Sequence, residues 1–166
     1  LATELSRRYD GLAPLPVTFL LDNVRSLFNV GSFFRTADGA GIERLVLTGI
    51  TGKPPHREIE KTALGAEGTI AWEHAWDPVP AVSELRMRGV EIAAIETSPR
   101  SVDLFDWQPR FPVCVVFGNE VEGVRSEVLN LADTYVRIPM LGTKYSLNVA
   151  TAAGVVAYEL LRKYRG

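Results

Sequence analysis

Three stretches of this chain carry polar side chains where a folded core has little structural need of them. The first is Asn29-Val30-Gly31-Ser32-Phe33-Phe34-Arg35. A guanidinium in such apolar company is expected to find a partner or an anionic ligand, although a solvated arginine on a capped helix is the plainer account. The second is Phe117-Gly118-Asn119-Glu120-Val121-Glu122-Gly123, directly after the most apolar run of the chain. In α/β sheets ligands bind beyond the carboxyl ends of strands, where glycines let them approach the backbone. Asn119 and Glu120 would add polar contacts there, and an ordinary turn explains the segment equally well. The third is residues 138–150, Ile-Pro-Met-Leu-Gly-Thr-Lys-Tyr-Ser-Leu-Asn-Val-Ala, too long and too apolar for a simple connector. Ser146 reads as a helix N-cap, which would leave backbone N–H groups free to meet a ligand.

A framework must hold these groups. Short apolar runs at residues 17–21, 45–47, 91–95, 113–117 and 135–138, with a weaker one at 69–72, have the length and composition of buried parallel strands. Segments of helical period lie between them. Residues 29–38 form one, with Asn29 as N-cap, Phe28 and Phe33 as a hydrophobic staple, and Gly39 and Gly41 ending it. Residues 58–64, 80–87 (closed by Gly89) and 126–131 are further candidates. The clearest is the last, where Leu147, Ala150, Gly154, Ala157 and Leu161 recur at spacings of three and four before a basic final turn. Strands alternating with helices predict an α/β domain, a mostly parallel sheet flanked by helices.

Composition narrows the function. At 166 residues the chain has the size of one domain. It is 46% hydrophobic and 23% charged, as a globular protein should be. Its 18 Lys+Arg against 20 Asp+Glu give a net charge of −2, so contact with nucleic acid would need a local basic patch. A single cysteine, Cys114, permits no intrachain disulfide and fits packing in a reducing, cytoplasmic protein. No apolar run approaches the ~18 residues of a membrane span. His56 and His74 have no cysteine beside them, so no metal is expected. Gly49-Ile50-Thr51-Gly52-Lys53-Pro54 has neither the spacing nor the hydroxyl of a phosphate loop. The start of the chain, about residues 1–15 with Arg7 and Arg8, reads as a helix or arm outside the core.

Taken in order, the N-x-G-x-x-x-R, F-G-N-E-x-x-G and I-P-M-x-G-x-x-x-S-L-N-V-A stretches resemble the SpoU (TrmH-like) family of RNA ribose methyltransferases. The resemblance runs from about Val17 to Tyr164, and residues 61–66, Lys-Thr-Ala-Leu-Gly-Ala, also look like the family's stretch between its first two motifs. It implies a single catalytic domain over residues 1–166 whose C-terminal part, about 111–160, is threaded into a deep trefoil knot, and a homodimer packed through that region. It implies S-adenosylmethionine as methyl donor, with Thr97, Gly118, Ile138 and Leu147 matching positions that cradle it and Asn119 beside them. The family's catalytic set falls on Asn29, Arg35, Glu120, Ser146 and Asn148, and every one is present.

The reaction implied is methyl transfer to a ribose 2′-OH in tRNA or rRNA. Family proposals make Arg35 the base. A guanidinium hardly deprotonates in proteins, and an equally good account has Arg35 grip the target phosphate and stabilise the developing alkoxide. Asn29 and Glu120 would orient it, while Ser146 and Asn148 position ribose or the methionine end. Candidates for RNA contact are Arg7, Arg8, Arg25, Lys53, Arg57, Lys144 and the basic C-terminus. Two other readings stay open: a knotted methyltransferase acting on a base, and a non-catalytic RNA-binding assembly factor.

Overall fold

The computed structural model describes Glu4 and residues 9–166. Arg7 and Arg8, with the other residues of 1–3 and 5–8 in the expected N-terminal arm, lie outside the described residues. The five compact apolar runs fall on strands, the weak run at 69–72 gives way to a strand displaced toward the C-terminus, and one short strand is unexpected: β1 (Leu15–Asp22), β2 (Ile42–Thr48), the displaced β3 (Ala71–Ala75), β4 (Glu91–Ile95), the unexpected β5 (Val102–Asp103), β6 (Val113–Phe117) and β7 (Thr134–Arg137). They form a seven-stranded sheet in the order β3-β2-β1-β6-β4-β7-β5, parallel at every pairing. The central strand β6 is buried along its whole length, which is why its sequence is apolar without alternation.

Side chains of successive strand residues point to opposite faces, and the core divides accordingly. Phe19, Leu21, Leu45, Leu47, Val115 and Phe117 face one layer of helices, α1 (Leu27–Ala40), α2 (Arg57–Ala63) and α5 (Val149–Arg165). Leu20, Val46, Ile92, Cys114 and Val116 face the other, made by α3 (Pro78–Met87) and α4 (Ser126–Leu129). Phe19, Phe33 and Phe117 meet edge to face with centroids 5.0–6.4 Å apart, joining β1, α1 and β6 at the middle of the first layer. The Cys114 thiol is fully buried, and desolvation pushes its pKa up to about 12. No helix among the described residues is long and apolar enough to cross a membrane.

Several local expectations are corrected. The N-cap of α1 is Ser26, whose hydroxyl accepts from the Asn29 N–H at 3.2 Å, so Asn29 lies inside the first turn. Phe28 is half exposed beneath Lys61 while Phe33 is buried, so the two form no staple. Gly41, in the left-handed region at φ 79°, ends the helix, and Gly39 lies within it. Asn148 rather than Ser146 caps α5, accepting from the Ala150 and Thr151 N–H groups at 2.9 and 3.3 Å. The buried stripe of α5 is Ala152, Ala153, Val156, Ala157 and Leu160. The expected stripe shares only Ala157 with it, because the helix turns its small residues toward α1 and leaves Gly154 and Leu161 on the flank. His56 accepts from the Glu58 N–H at 3.1 Å and caps α2.

Gly31 shows why α1 and α2 can pack so closely. A Cβ there would stand 2.0 Å from Thr62 Oγ1 and 2.3 Å from the Ile59 carbonyl oxygen. Thr62 in turn donates to the Phe28 carbonyl at 2.8 Å, clasping one helix to the other. Since one obstacle is backbone, the added methyl of Gly31→Ala can be accommodated only by moving the helices apart. Overpacking of this kind costs about 1–3 kcal/mol, more than the helix propensity alanine recovers, about 1 kcal/mol. Denaturant titration should show a lowered midpoint for Gly31→Ala with an unchanged slope, and a midpoint equal to the parent's would refute the close-packing account.

Candidate functional site

Because all strands are parallel, their carboxyl ends share one edge of the sheet, and the loops beyond β4, β6 and β7 converge there on a cavity of about 550 Å³. Thr97, Gly118, Asn119, Ile138 and Leu147 line it, together with Glu120, Ser146 and Asn148. Thus eight residues from three sequence segments surround one space. Asn29 and Arg35 do not line it.

The loop after β6 is rigid for identifiable reasons. Asn119 and Gly123 exchange backbone hydrogen bonds of 3.0 and 2.9 Å, closing the loop on itself. The Asn119 side chain accepts from the Val121 and Glu122 N–H groups at 2.9 and 3.0 Å and donates to the Asn23 carbonyl at 2.8 Å. A Cβ on Gly118 would meet backbone atoms of Gly123 and Val124 at 2.2–2.3 Å, so only glycine allows the loop to fold over itself. Asn119 therefore works chiefly as a bracket, with its amide oxygen and nitrogen committed to backbone.

Glu120 ties this loop to the start of α1. Its carboxylate accepts from the backbone N–H of Arg25 and of Ser26, both at 2.9 Å, and from Asn29 Nδ2 at 3.2 Å. Burial pushes its pKa up, but the Arg25 and Ser26 N–H groups and the Asn29 amide outweigh that and hold it below the usual glutamate value. Asn29 thus reaches the cavity region through Glu120 rather than directly. Beneath this corner lies a pair that the sequence reading missed. Asp22, at the end of β1 and 1% exposed, receives Arg125 Nε at 2.6 Å and Nη2 at 2.9 Å, and accepts from Thr48 Oγ1 at 2.8 Å. An acidic residue closing an apolar strand was the available signal, but its partner stands 103 positions away.

The charge of the cavity is one-sided. Among the described residues no lysine, arginine or histidine lines it, whereas Glu96, Glu120 and Glu122 do. Burial raises the pKa of Glu96, whose carboxylate has no hydrogen-bond partner among the described residues. The arrangement suits a ligand carrying positive charge, with Ile95, Phe117 and Ile138 offering apolar wall. Arg35, expected to need a partner, is instead exposed. It lines a separate shallow depression with Asp38, Gly65 and Thr69, without an ion pair among the described residues. Arg25, Lys53, Arg57 and Lys144 are exposed as well.

The chain matches the model of the SpoU rRNA Methylase family over residues 16–158. It is 31% identical over 163 residues to the 23S rRNA (guanosine-2'-O-)-methyltransferase RlmB of Ralstonia nicotianae, covering 98% of this chain and 65% of that protein. To the tRNA (guanosine(18)-2'-O)-methyltransferase of Aquifex aeolicus it is 33% identical over 149 residues, covering 86% and 67%. The chain therefore spans about two thirds of the length of these curated relatives. Its fold superposes on the TrmH/SpoU tRNA modifying enzyme of A. aeolicus with a TM-score of 0.85 at 29% identity, covering 99% of this chain and 84% of that one. The AdoMet-bound rRNA methyltransferase of Sinorhizobium meliloti gives 0.81 at 29% identity, covering 90% and 60%.

Two measurements probe this corner. Asp22→Ala removes the buried carboxylate that Arg125 and Thr48 bond, and should cost about 1.5–3 kcal/mol in denaturant unfolding; a loss under about 1 kcal/mol would show the pair to be incidental. Glu120 has a lowered folded-state pKa, so its stabilising contribution is full above the unfolded value of about 4.3 and is lost as pH falls through the lower folded value. Amide exchange at Arg25 and Ser26 should accelerate relative to the strands as pH falls below the ordinary glutamate value, and Glu120→Gln should show that loosening already at pH 7.

Proposed function

Since the chain belongs to the SpoU rRNA methylase family, we propose that it transfers a methyl group from S-adenosylmethionine to the ribose 2′-OH of a nucleotide in tRNA or rRNA. The observation that carries this reading is the cavity at the carboxyl edge of β4, β6 and β7. Its volume of about 550 Å³ lies within the range of small-molecule sites, about 300–1,000 Å³. Its apolar wall suits an adenine, and its carboxylates with no opposing cation suit a donor bearing a sulfonium and an ammonium. Thr97, Gly118, Ile138 and Leu147 are the residues that would hold it, with Asn119 bracing their loop. No metal is needed by this chemistry.

When bound, the donor supplies a methyl already activated by its leaving group. The chain's own task is then alignment and charge. Glu120 fixes Asn29 and the first turn of α1, and so fixes the helix that carries Arg35. Arg35, free of any internal partner among the described residues, grips a phosphate of the RNA and stabilises the oxyanion as the ribose oxygen takes the methyl and its proton passes to solvent water. Ser146 stands at the cavity with its hydroxyl available to the ribose or the methionine end. Asn148 spends its carbonyl oxygen on capping α5 and offers only its amide nitrogen.

The finer architecture belongs to the same proposal. Residues 1–166 act as one catalytic domain, and residues 111–160 form a trefoil knot. In support, β6 enters between β1 and β4, and the segment after β7 returns to line the same cavity as the β6 loop before α5 docks on α1. Two copies pair through that region, where Leu141, Tyr145 and Tyr158 leave apolar surface exposed. Arg25, Lys53 and Lys144, with Arg7 and Arg8, contact the RNA. An RNA substrate and a buried free cysteine fit work in the cytoplasm.

The test is methyl incorporation from labelled S-adenosylmethionine into tRNA and rRNA transcripts, with the product mapped by nuclease resistance. A 2′-O-methyl blocks cleavage at its own linkage, whereas a methylated base leaves the linkage cleavable and would overturn the ribose assignment. Arg35→Ala should reduce turnover about 100-fold or more while calorimetry shows cofactor affinity unchanged. Loss of cofactor binding in that variant would refute the role given to Arg35.

A further inference from the structure

Resting on the RNA reading above, we propose that Trp76 is a stacking platform for an unpaired base of the RNA near the target nucleotide. Trp76 follows β3 directly, and its side chain is 76% exposed. The other two tryptophans are held inside: Trp72 packs against the core, and Trp107 is buried with its Nε1–H on Glu91. Ile50, on the neighbouring turn, is 59% exposed as well. An indole face left in water beside a second apolar side chain marks a contact surface.

The ring is positioned before any ligand arrives. His74 lies against Trp76 edge to face with centroids 5.0 Å apart. The Gly49 N–H donates to the carbonyls of Ala75 and Trp76, both at 3.1 Å, and the Gly49 carbonyl lies 3.2 Å from His74 Nε2. The next N–H, of Ile50, donates to Asn23 Oδ1 at 3.0 Å, and the Asn23 carbonyl accepts from Asn119 Nδ2 at 2.8 Å. A continuous set of hydrogen bonds thus runs from the backbone of Trp76 across the ends of β2 and β1 to the wall of the cavity. The backbone that carries the ring is therefore already in place, which lowers the ordering cost of binding.

Position and charge select the partner. β3 is three places from β6 in the sheet, so at about 4.8 Å per strand the platform stands about 14 Å from the cavity, on the same edge. The two strands between them, β1 and β2, are followed by segments carrying Arg25 and, after β2, Lys53 and Arg57, all exposed and without an ion pair among the described residues. The acids closest in sequence are occupied: Glu73 faces Arg44 at 3.9 Å, and Asp77 caps α3 through the Val79 N–H. An exposed aromatic face on the same sheet edge as unpaired cations is the pattern that takes single-stranded nucleic acid, the cations tracking phosphates while the ring takes a base of any sequence.

The experiment compares the full chain with Trp76→Ala and Trp76→Phe, using unfractionated tRNA and a short single-stranded RNA in anisotropy titrations at fixed salt. Calorimetry with S-adenosylmethionine confirms an intact fold. Trp76→Ala should weaken RNA binding about 5- to 150-fold, the effect of one base stack, with cofactor affinity unchanged. Trp76→Phe should retain most of the affinity. RNA should quench the parent's tryptophan fluorescence, and the quenching should vanish in Trp76→Phe. Equal RNA affinity of Trp76→Ala and parent, or quenching that persists in Trp76→Phe, would overturn the platform alone. A parent that binds the cofactor but no RNA would overturn the RNA reading and the platform with it.

Discussion

The ion pair between the buried Asp22 and the partly exposed Arg125 is the constraint on which the functional edge depends. Replacing a charged pair with packed apolar residues is often neutral or favourable, because a buried charge, here the carboxylate, must be stripped of water. Its contribution is therefore placement. A bidentate carboxylate–guanidinium contact has narrow geometric tolerance, and here it spans from the last residue of β1 to the segment between β6 and α4. The Thr48 hydroxyl adds the end of β2 to the same carboxylate. Two strand ends and the start of α4 are thereby registered to one another, and the loops that leave them inherit that register.

From this fixed point the polar network spreads outward in layers of decreasing burial. Asn23 lies next to Asp22 and bridges the Ile50 N–H and the Asn119 amide. Asn119 holds its own loop, and Glu120 fastens that loop to the first turn of α1. The distribution of charge follows the same order. Carboxylates face the cavity, where a cationic donor would lie, while unpaired cations stand outside it, where phosphates would lie. The net charge of −2 conceals both, since opposite patches cancel in the sum while acting on different ligands.

Much of the framework was readable because burial leaves a direct mark on composition. β4 and β6 fall on residues 91–95 and 113–117 as expected, since a strand covered on both faces can hold little but apolar residues. The edge strands carry less of that mark. β3 exposes or half-exposes each of its residues, and β5 is two residues long, so the first was read only weakly, over residues 69–72, and the second not at all. The caps failed for a different reason. Ser26 and Asn29 are both good N-cap types, as are Ser146 and Asn148, and local pattern cannot rank them. What removes Asn29 from the cap is a carboxylate 91 positions away. Long-range partners of this kind, with Arg125 on Asp22, leave no periodic trace.

The motif that carries Arg35 shows how one helix divides its work. At 100° per residue, neighbouring positions of α1 must face different surroundings. Asn29 faces Glu120, and Gly31 faces the backbone of α2 at a distance no side chain would permit. Phe33, Phe34 and Ala37 enter the core, which leaves Arg35 pointing into solvent. The apolar neighbours that suggested a buried arginine are what turn it outward, because they occupy the inward face. Yet the helix is bolted at its first turn by Glu120 and along its flank by α2. With a rise of about 1.5 Å per residue, Arg35 stands about 9 Å along the axis from Asn29. Its backbone is therefore placed relative to the Glu120 corner, and its guanidinium has no ion pair among the described residues that would hold it back from an external partner.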